Sequence, residues 1–217
     1  MRKVLTLIIF AFLVPVIVRA QVADADDNQS WNDVQLTVPV NERFDFTSSG
    51  TLRFGKNITR LNDRRIAVGF VYKPNNSWSF QPFYWNIVAR NAVGRFRSEH
   101  RLNLRVGYRF LFKRFGLSHR SWIERRLREP RNSWRYRPSL TFEKGIEKIV
   151  PGARIFVTEE VFYDSILKRF SRNRFSVGIN KTLTGKLSLD VFYLRQNDGF
   201  SRPGDLNVIG TSLKIKL

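Results

Sequence analysis

The sequence predicts an all-β chain, an up-and-down antiparallel transmembrane β-barrel of about 10–12 strands. Three observations carry that expectation. Residues 95–110 alternate strictly between a polar and an apolar face, the chain starts with an export segment, and the same alternation recurs to the last residue. In the alternating run, Arg95, Arg97, Glu99, Arg101, Asn103, Arg105 and Arg109 share one parity. Phe96, Ser98, His100, Leu102, Leu104, Val106, Tyr108 and Phe110 share the other. A period of two is a strand signal, because successive side chains point to opposite faces. The run is long beside the strands of about five or six residues typical of soluble sheets. In a soluble sandwich the polar face would lie outside, whereas in a transmembrane barrel it lines the lumen.

The amino terminus favours the second arrangement. Met1-Arg2-Lys3 is followed by an apolar run from Val4 to Val18, and Val18-Arg19-Ala20 places small residues where a signal peptidase reads them. Residues 1–20 are therefore expected to be a signal peptide, and residues 21–217 a single barrel domain beginning at Gln21. The run is too short for a membrane anchor and is interrupted by Pro15. The chain has no cysteine, so neither a lipid anchor nor a disulfide framework is expected. No later stretch is apolar enough for a membrane helix, so strands must do any spanning. Export also redirects the reading of the formal charge of +20. The arginines recur every second residue rather than in a block, so nucleic acid is not the expected partner. An exported barrel in the outer membrane of a Gram-negative bacterium meets lipid, lipopolysaccharide phosphates and small anions instead.

The elements follow in order. Trp31 to Val38 is a strand, with Trp31 expected as an interface anchor, and Phe44 to Phe54 follows the tight Asn41-Glu42 connection. Arg64 to Tyr72 sets Ile66, Val68, Phe70 and Tyr72 against Arg65, Ala67, Gly69 and Val71. Lys73-Pro74-Asn75-Asn76 is a turn signal, and Ser77 to Ala89 is the next strand. The Arg95 strand turns near Lys113-Arg114 into Phe115 to Leu127. Ser133 to Glu143 alternates again, and Pro151-Gly152 turns the chain into Arg154 to Tyr163. Arg172 to Asn180, Lys186 to Gln196 and Leu206 to Leu217 complete the set. Short turns are expected to alternate with longer polar loops, as in a meander with two unlike ends. The runs number eleven, whereas single-chain bacterial barrels carry an even number; the expectation is therefore ten or twelve. The final residues Leu213, Ile215 and Leu217 resemble the terminal strand that outer-membrane proteins present to the barrel insertion machinery.

Several short pieces in order resemble the DUF2490 family of uncharacterised bacterial outer-membrane barrels. They are Trp31, Leu52-Arg53-Phe54, Glu99-His100-Arg101-Leu102, Trp122-Ile123-Glu124-Arg125-Arg126, Arg135-Tyr136-Arg137, Glu159-Glu160-Val161-Phe162 and Arg172-Asn173-Arg174. The resemblance implies fold and location and brings no activity with it.

A two-residue turn at Lys113-Arg114 pairs Phe112 with Phe115. Asn103 then faces Glu124, Arg101 faces Arg126 and Glu99 faces Arg128, with Arg105 one diagonal step from Glu124. The same parity points Arg135, Arg137, Glu143, Glu160, Arg172 and Arg174 inward. Two readings of this lumen stay open. Arginines and carboxylates interlock as a plug, or surplus arginine leaves a narrow, porin-like, anion-preferring path. Removing Arg2, Lys3 and Arg19 lowers the charge from +20 only to +17, and Lys144, Lys148, Lys168 and Arg169 in loops offer part of this surplus to lipopolysaccharide. A non-conducting subunit of an envelope complex is a further alternative. An enzyme is another. His119 and Ser121 have the spacing of a base and a nucleophile on one strand face, here the lipid-facing one. The orienting acid or amide expected about twelve residues later meets Ser133, with Asn132 beside it in a loop. His100 reads as structural. No metal site and no cofactor are expected; two histidines offer little to a metal, and Asp24, Asp26 and Asp27 read as a polar lead-in.

Overall fold

The computed structural model describes residues 26–91, 93–201 and 203–217, so the expected signal peptide, residues 1–20, lies outside the described residues. Among the described residues, eleven strands form one closed barrel in sequence order. They are β1 (Asp27–Pro39), β2 (Phe44–Gly55), β3 (Arg60–Tyr72), β4 (Trp78–Arg90), β5 (Phe96–Phe110) and β6 (Gly116–Leu127). The rest are β7 (Ser133–Gly145), β8 (Ala153–Asp164), β9 (Arg169–Thr184), β10 (Leu187–Asp198) and β11 (Leu206–Lys216).

The count of eleven corrects the expected ten or twelve. Strands of a meander alternate in direction, so an odd number leaves the first and last running the same way, and they close the barrel as a parallel pair. That seam extends from Asp27 opposite Leu206 to Thr37 opposite Lys216. Every other pair is antiparallel. We call the end where β1 and β11 begin the upper end. The connections differ from expectation too. Those at the lower end (40–43, 73–77, 111–115, 146–152, 185–186) are as short as those at the upper end (56–59, 91–95, 128–132, 165–168, 199–205).

The outward parity carries the apolar residues the alternation predicts. Ile66, Val68, Phe70, Leu102, Leu104, Ile123, Val177 and Ile179 are all exposed on the outer wall. Near the lower end, outward aromatics touch from strand to strand. Phe44 stacks on Tyr72 at 4.7 Å and Trp78 meets Tyr108 at 4.8 Å, and within the β5–β6 connection Phe112 stacks on Phe115 at 4.6 Å. Trp31 departs from its expected place at an interface: it is buried inside, packed with Leu194, Leu206 and Val208. A second interior cluster joins Phe83, Trp85, Ile87 and Trp122. Gly69 makes room for it. A Cβ there would lie 2.4 Å from Phe83 Cβ and 2.5 Å from the Pro82 carbonyl, so only glycine lets β3 approach β4 this closely.

Candidate functional site: an arginine–aromatic belt in the lumen

The interior divides along the barrel axis. Its upper half is packed with charge pairs and aromatics; its lower half is lined largely by small polar residues such as Thr47, Ser49, Thr158, Ser176 and Ser212 around a cavity of about 610 Å³.

The charge pairs begin with the β5–β6 register. Asn103 pairs with Glu124 and Arg101 with Arg126, the register expected from the turn at Lys113-Arg114. Glu124 is fully buried, with 0 % exposure. It accepts from Arg137 Nη1 at 2.6 Å and from Arg101 Nη1 at 3.2 Å. Arg137 Nη2 reaches across to Glu160 at 2.9 Å, and Arg120 Nη2 donates to the same carboxylate at 2.7 Å. Higher up, Glu99 accepts from Arg126 at 2.6 Å and Arg101 at 2.9 Å. Arg135 donates to Asp164 at 3.1 Å, and Arg172 Nε donates to Asp198 at 2.6 Å. Pairing of this kind offsets the cost of burying these ions, since an unpaired one costs several kcal/mol.

Guanidinium groups also alternate with rings around the wall. Arg53 lies 3.5 Å from the centre of the Trp31 ring and Arg174 lies 4.9 Å from it. Arg174 and Arg137 flank Phe162 at 4.7 and 4.5 Å. Arg137 and Arg105 flank Trp122 at 3.7 and 3.9 Å, and Arg105 reaches Phe83 at 4.4 Å. The belt thus draws on β1, β2, β4, β5, β6, β7, β8 and β9. Cation–π contacts hold each guanidinium face against a ring, which leaves its N–H edges for other partners. The belt closes the cavity from above, and the cavity lining holds Arg53, Arg105, Arg120, Arg137, Arg174 and Lys214 against only Asp33, Glu160 and Asp190.

Several expected lumen residues sit elsewhere or pair differently. Arg95 precedes β5 and Arg97 is exposed near its start, so both stand at the upper rim, outside the packed interior. The parity was inward, but the strand rises past the packed zone there. Glu143 is half-buried at the lower end against Gly116. The ladder stops at His100 opposite Leu127, so Glu99 meets Arg126 instead of Arg128. Arg105 does not reach Glu124, which Arg101 and Arg137 occupy; it contacts Gln81 Oε1 at 3.3 Å and stacks on Trp122. Arg53, Arg65, Arg120, Asp63 and Asp164 were missed, although their parity matches that of the inward residues beside them on the same strands. Trp31, Phe83 and Trp122 were missed because an aromatic on a barrel strand fits either face.

On the outer wall, His119 Nε2 lies 3.0 Å from Ser121 Oγ, which lies 3.0 Å from Tyr136 Oη. Among the described residues, no carboxylate is hydrogen-bonded to any of the three. Asn132, at the upper end, accepts from the Arg128 amide at 3.1 Å, and Ser133 is buried inside opposite Arg126. The third member that acyl transfer needs is therefore out of place. His100 Nδ1 meets Tyr84 Oη at 2.5 Å on the same outer wall. No cluster of metal-ligating side chains occurs among the described residues.

Fold and lumen together define a closed β-barrel with a charged, aromatic interior. The chain belongs to the family described as protein of unknown function (DUF2490), which it matches over residues 28–207. No curated protein matches it. Among solved structures it is similar to one titled "NanC porin structure in rhombohedral crystal form", with 12% identity over 89% of this chain and 100% of that chain and a TM-score of 0.52. It is also similar to the KdgM porin, at 13% identity over 75% of this chain and 81% of that chain, TM-score 0.48. A third is an anion-selective porin from Comamonas acidovorans, at 10% identity over 81% of this chain and 54% of that chain, TM-score 0.42. At such identities, the first of these likenesses speaks to the shared barrel fold.

Proposed function

We propose that the protein is an outer-membrane barrel that acts as a narrow, anion-preferring pore, with the arginine–aromatic belt as its selecting layer. The observation that carries this reading is the composition of the cavity lining, six basic side chains against three acidic ones. A positive field in a low-dielectric lumen admits anions and repels cations. The outer wall supports the membrane setting. Its exposed Leu, Ile, Val and Phe side chains form a surface far more apolar than water tolerates, and the aromatic contacts near the lower end match a membrane-interface girdle. In this reading residues 1–20 are removed on export, the mature chain starts at Gln21, and the terminal strand ending in Leu217 engages the insertion machinery. Lys144, Lys148, Lys168 and Arg169 meet lipopolysaccharide or lipid phosphates.

The test is the current through the refolded protein in a planar bilayer under a salt gradient. Reproducible steps whose reversal potential favours anions, reduced in Arg105→Ser, support the pore. A second reading has its own support. Glu124 is 0 % and Phe162 1 % exposed, so the upper half packs tightly enough to seal a non-conducting accessory barrel. Silence from protein shown to be folded would select that reading.

A further inference from the structure

We propose that the belt is a saturable binding site for a small multivalent oxyanion, one bearing two or more carboxylate or phosphate groups. The inference rests on the reading of the lumen as anion-accepting and names what it accepts.

Not all belt arginines are compensated alike. Glu160 is held by Arg137 and Arg120 at 2.9 and 2.7 Å, and Glu124 by Arg137 and Arg101. Three others lack a close carboxylate. Arg105 has only the Gln81 amide oxygen at 3.3 Å. The carboxylate nearest Arg53 is Asp63 at 3.9 Å, and Arg65 already holds both its oxygens at 2.7 Å. Arg174 donates to Gln196 at 2.8 Å and stands 3.8 Å from the committed Glu160. The Nε atoms of Arg53 and Arg105 are buried without an acceptor.

These three form two groups on separate arcs of the wall. Arg53 and Arg174 share the Trp31 ring; Arg105 stands beside Trp122 with Arg120 at 5.5 Å from the same ring. Both groups line the same cavity. A guanidinium edge matches a carboxylate or phosphate in two parallel hydrogen bonds. A halide engages one group at a time, whereas an anion with two charged ends engages both, and the second contact forms at high effective concentration. Two carboxylates of the cavity do not oppose this. Asp190 is neutralised by Lys214 at 2.6 Å, and Asp33 is held to the wall by the neutral donors Gln35 and Thr51 at 2.6 Å, one carboxylate against the three guanidiniums that lack one.

Calorimetry on the refolded protein in detergent, at constant ionic strength, tests the site without requiring any current. The probes are citrate, pyrophosphate, acetate and chloride. Saturable binding of citrate or pyrophosphate, about tenfold or more tighter than acetate, is the expected result. Which of the two binds tells a carboxylate ligand from a phosphate one. Arg53→Gln and Arg105→Gln should each weaken it about tenfold. Ser176→Glu keeps every belt arginine and adds a carboxylate to the cavity wall, so it should abolish binding even if an arginine variant fails to fold. Equal, unsaturable responses to all four anions, or binding indifferent to Ser176→Glu in folded protein, overturns the proposal. A silent bilayer together with tight citrate or pyrophosphate binding would sink the pore reading and leave this one standing.

Discussion

Replacing Glu124 by Gln removes the most deeply buried charge of the lumen while keeping its shape. The carboxylate accepts two charge-assisted bonds, at 2.6 Å from Arg137 and 3.2 Å from Arg101. The amide of Gln keeps one acceptor and turns an NH₂ toward the other guanidinium, so one bond of about 1.5–3 kcal/mol is lost. Removing one partner of a buried pair outright costs about 3–5 kcal/mol. Here Arg101 retains Glu99 at 2.9 Å and Arg137 retains Glu160 at 2.9 Å, which holds the loss near the low end of that range. We expect Glu124→Gln to lower unfolding free energy by about 3 kcal/mol. Urea unfolding of the refolded protein, followed by the fluorescence of the neighbouring Trp122, reads this. Asp26→Asn is the control, because Asp26 and Arg195 pair at 2.6 Å on the exposed surface, where such a pair contributes about 0–1 kcal/mol. A Glu124→Gln loss no larger than the Asp26→Asn loss would refute the claim that paired charge holds the upper half together.

The remaining predictions use other parts of the barrel. Arg105→Ser should shift the reversal potential toward zero and cost only its ring contacts, whereas Arg101→Ser should destabilise more, because Arg101 holds Glu124 and Glu99 and Arg105 holds no carboxylate; equal stability losses would deny that difference. Gly69→Ala should cost about 1–3 kcal/mol in the same urea unfolding, because its Cβ would strike backbone and Phe83. Ile58, a β-branched residue at φ +67° in the β2–β3 connection, should gain about 1 kcal/mol on change to Gly. Asn32 and Thr211 face each other across the parallel seam. In the otherwise cysteine-free chain, Asn32→Cys with Thr211→Cys should form an intramolecular disulfide in folded protein, detected by a mobility shift reversed by reductant. Failure to crosslink would refute the eleven-strand closure.

How much of this was legible in the sequence depended on which coordinate of the barrel was asked for. Parity fixes the face of a side chain, and one tight turn fixes the register, so the Asn103–Glu124 and Arg101–Arg126 pairings follow from counting outward from Lys113-Arg114. Depth along the axis is not periodic. Arg97 and Arg101 have the same parity, yet one is exposed at the upper rim and the other is buried four residues further on. Aromatics defeated the reading for a different reason. On a soluble strand an apolar residue marks the core, and on a barrel strand it marks lipid, but Trp31 and Trp122 are apolar and inside because arginines stack on them. Their signal was the charged residues of matching parity, Arg53 opposite Trp31 and Arg137 opposite Trp122.

That pairing of rings with guanidiniums explains how one layer can serve two demands that ordinarily conflict. A wall of like charges repels itself and destabilises the fold, while neutralising every charge with a carboxylate erases selectivity. In the belt the ring faces take over part of the compensation, at about 0.5–2 kcal/mol per contact, without adding a negative charge to the lumen. Arg137 uses both solutions, with Glu124 and Glu160 on its edge and Trp122 and Phe162 on its faces. Arg105 relies on the rings of Trp122 and Phe83, so its charge stays available to an anion in the cavity. The two residues meet one indole ring from the strands on either side of it, and they separate the roles of holding the barrel together and attracting what enters it.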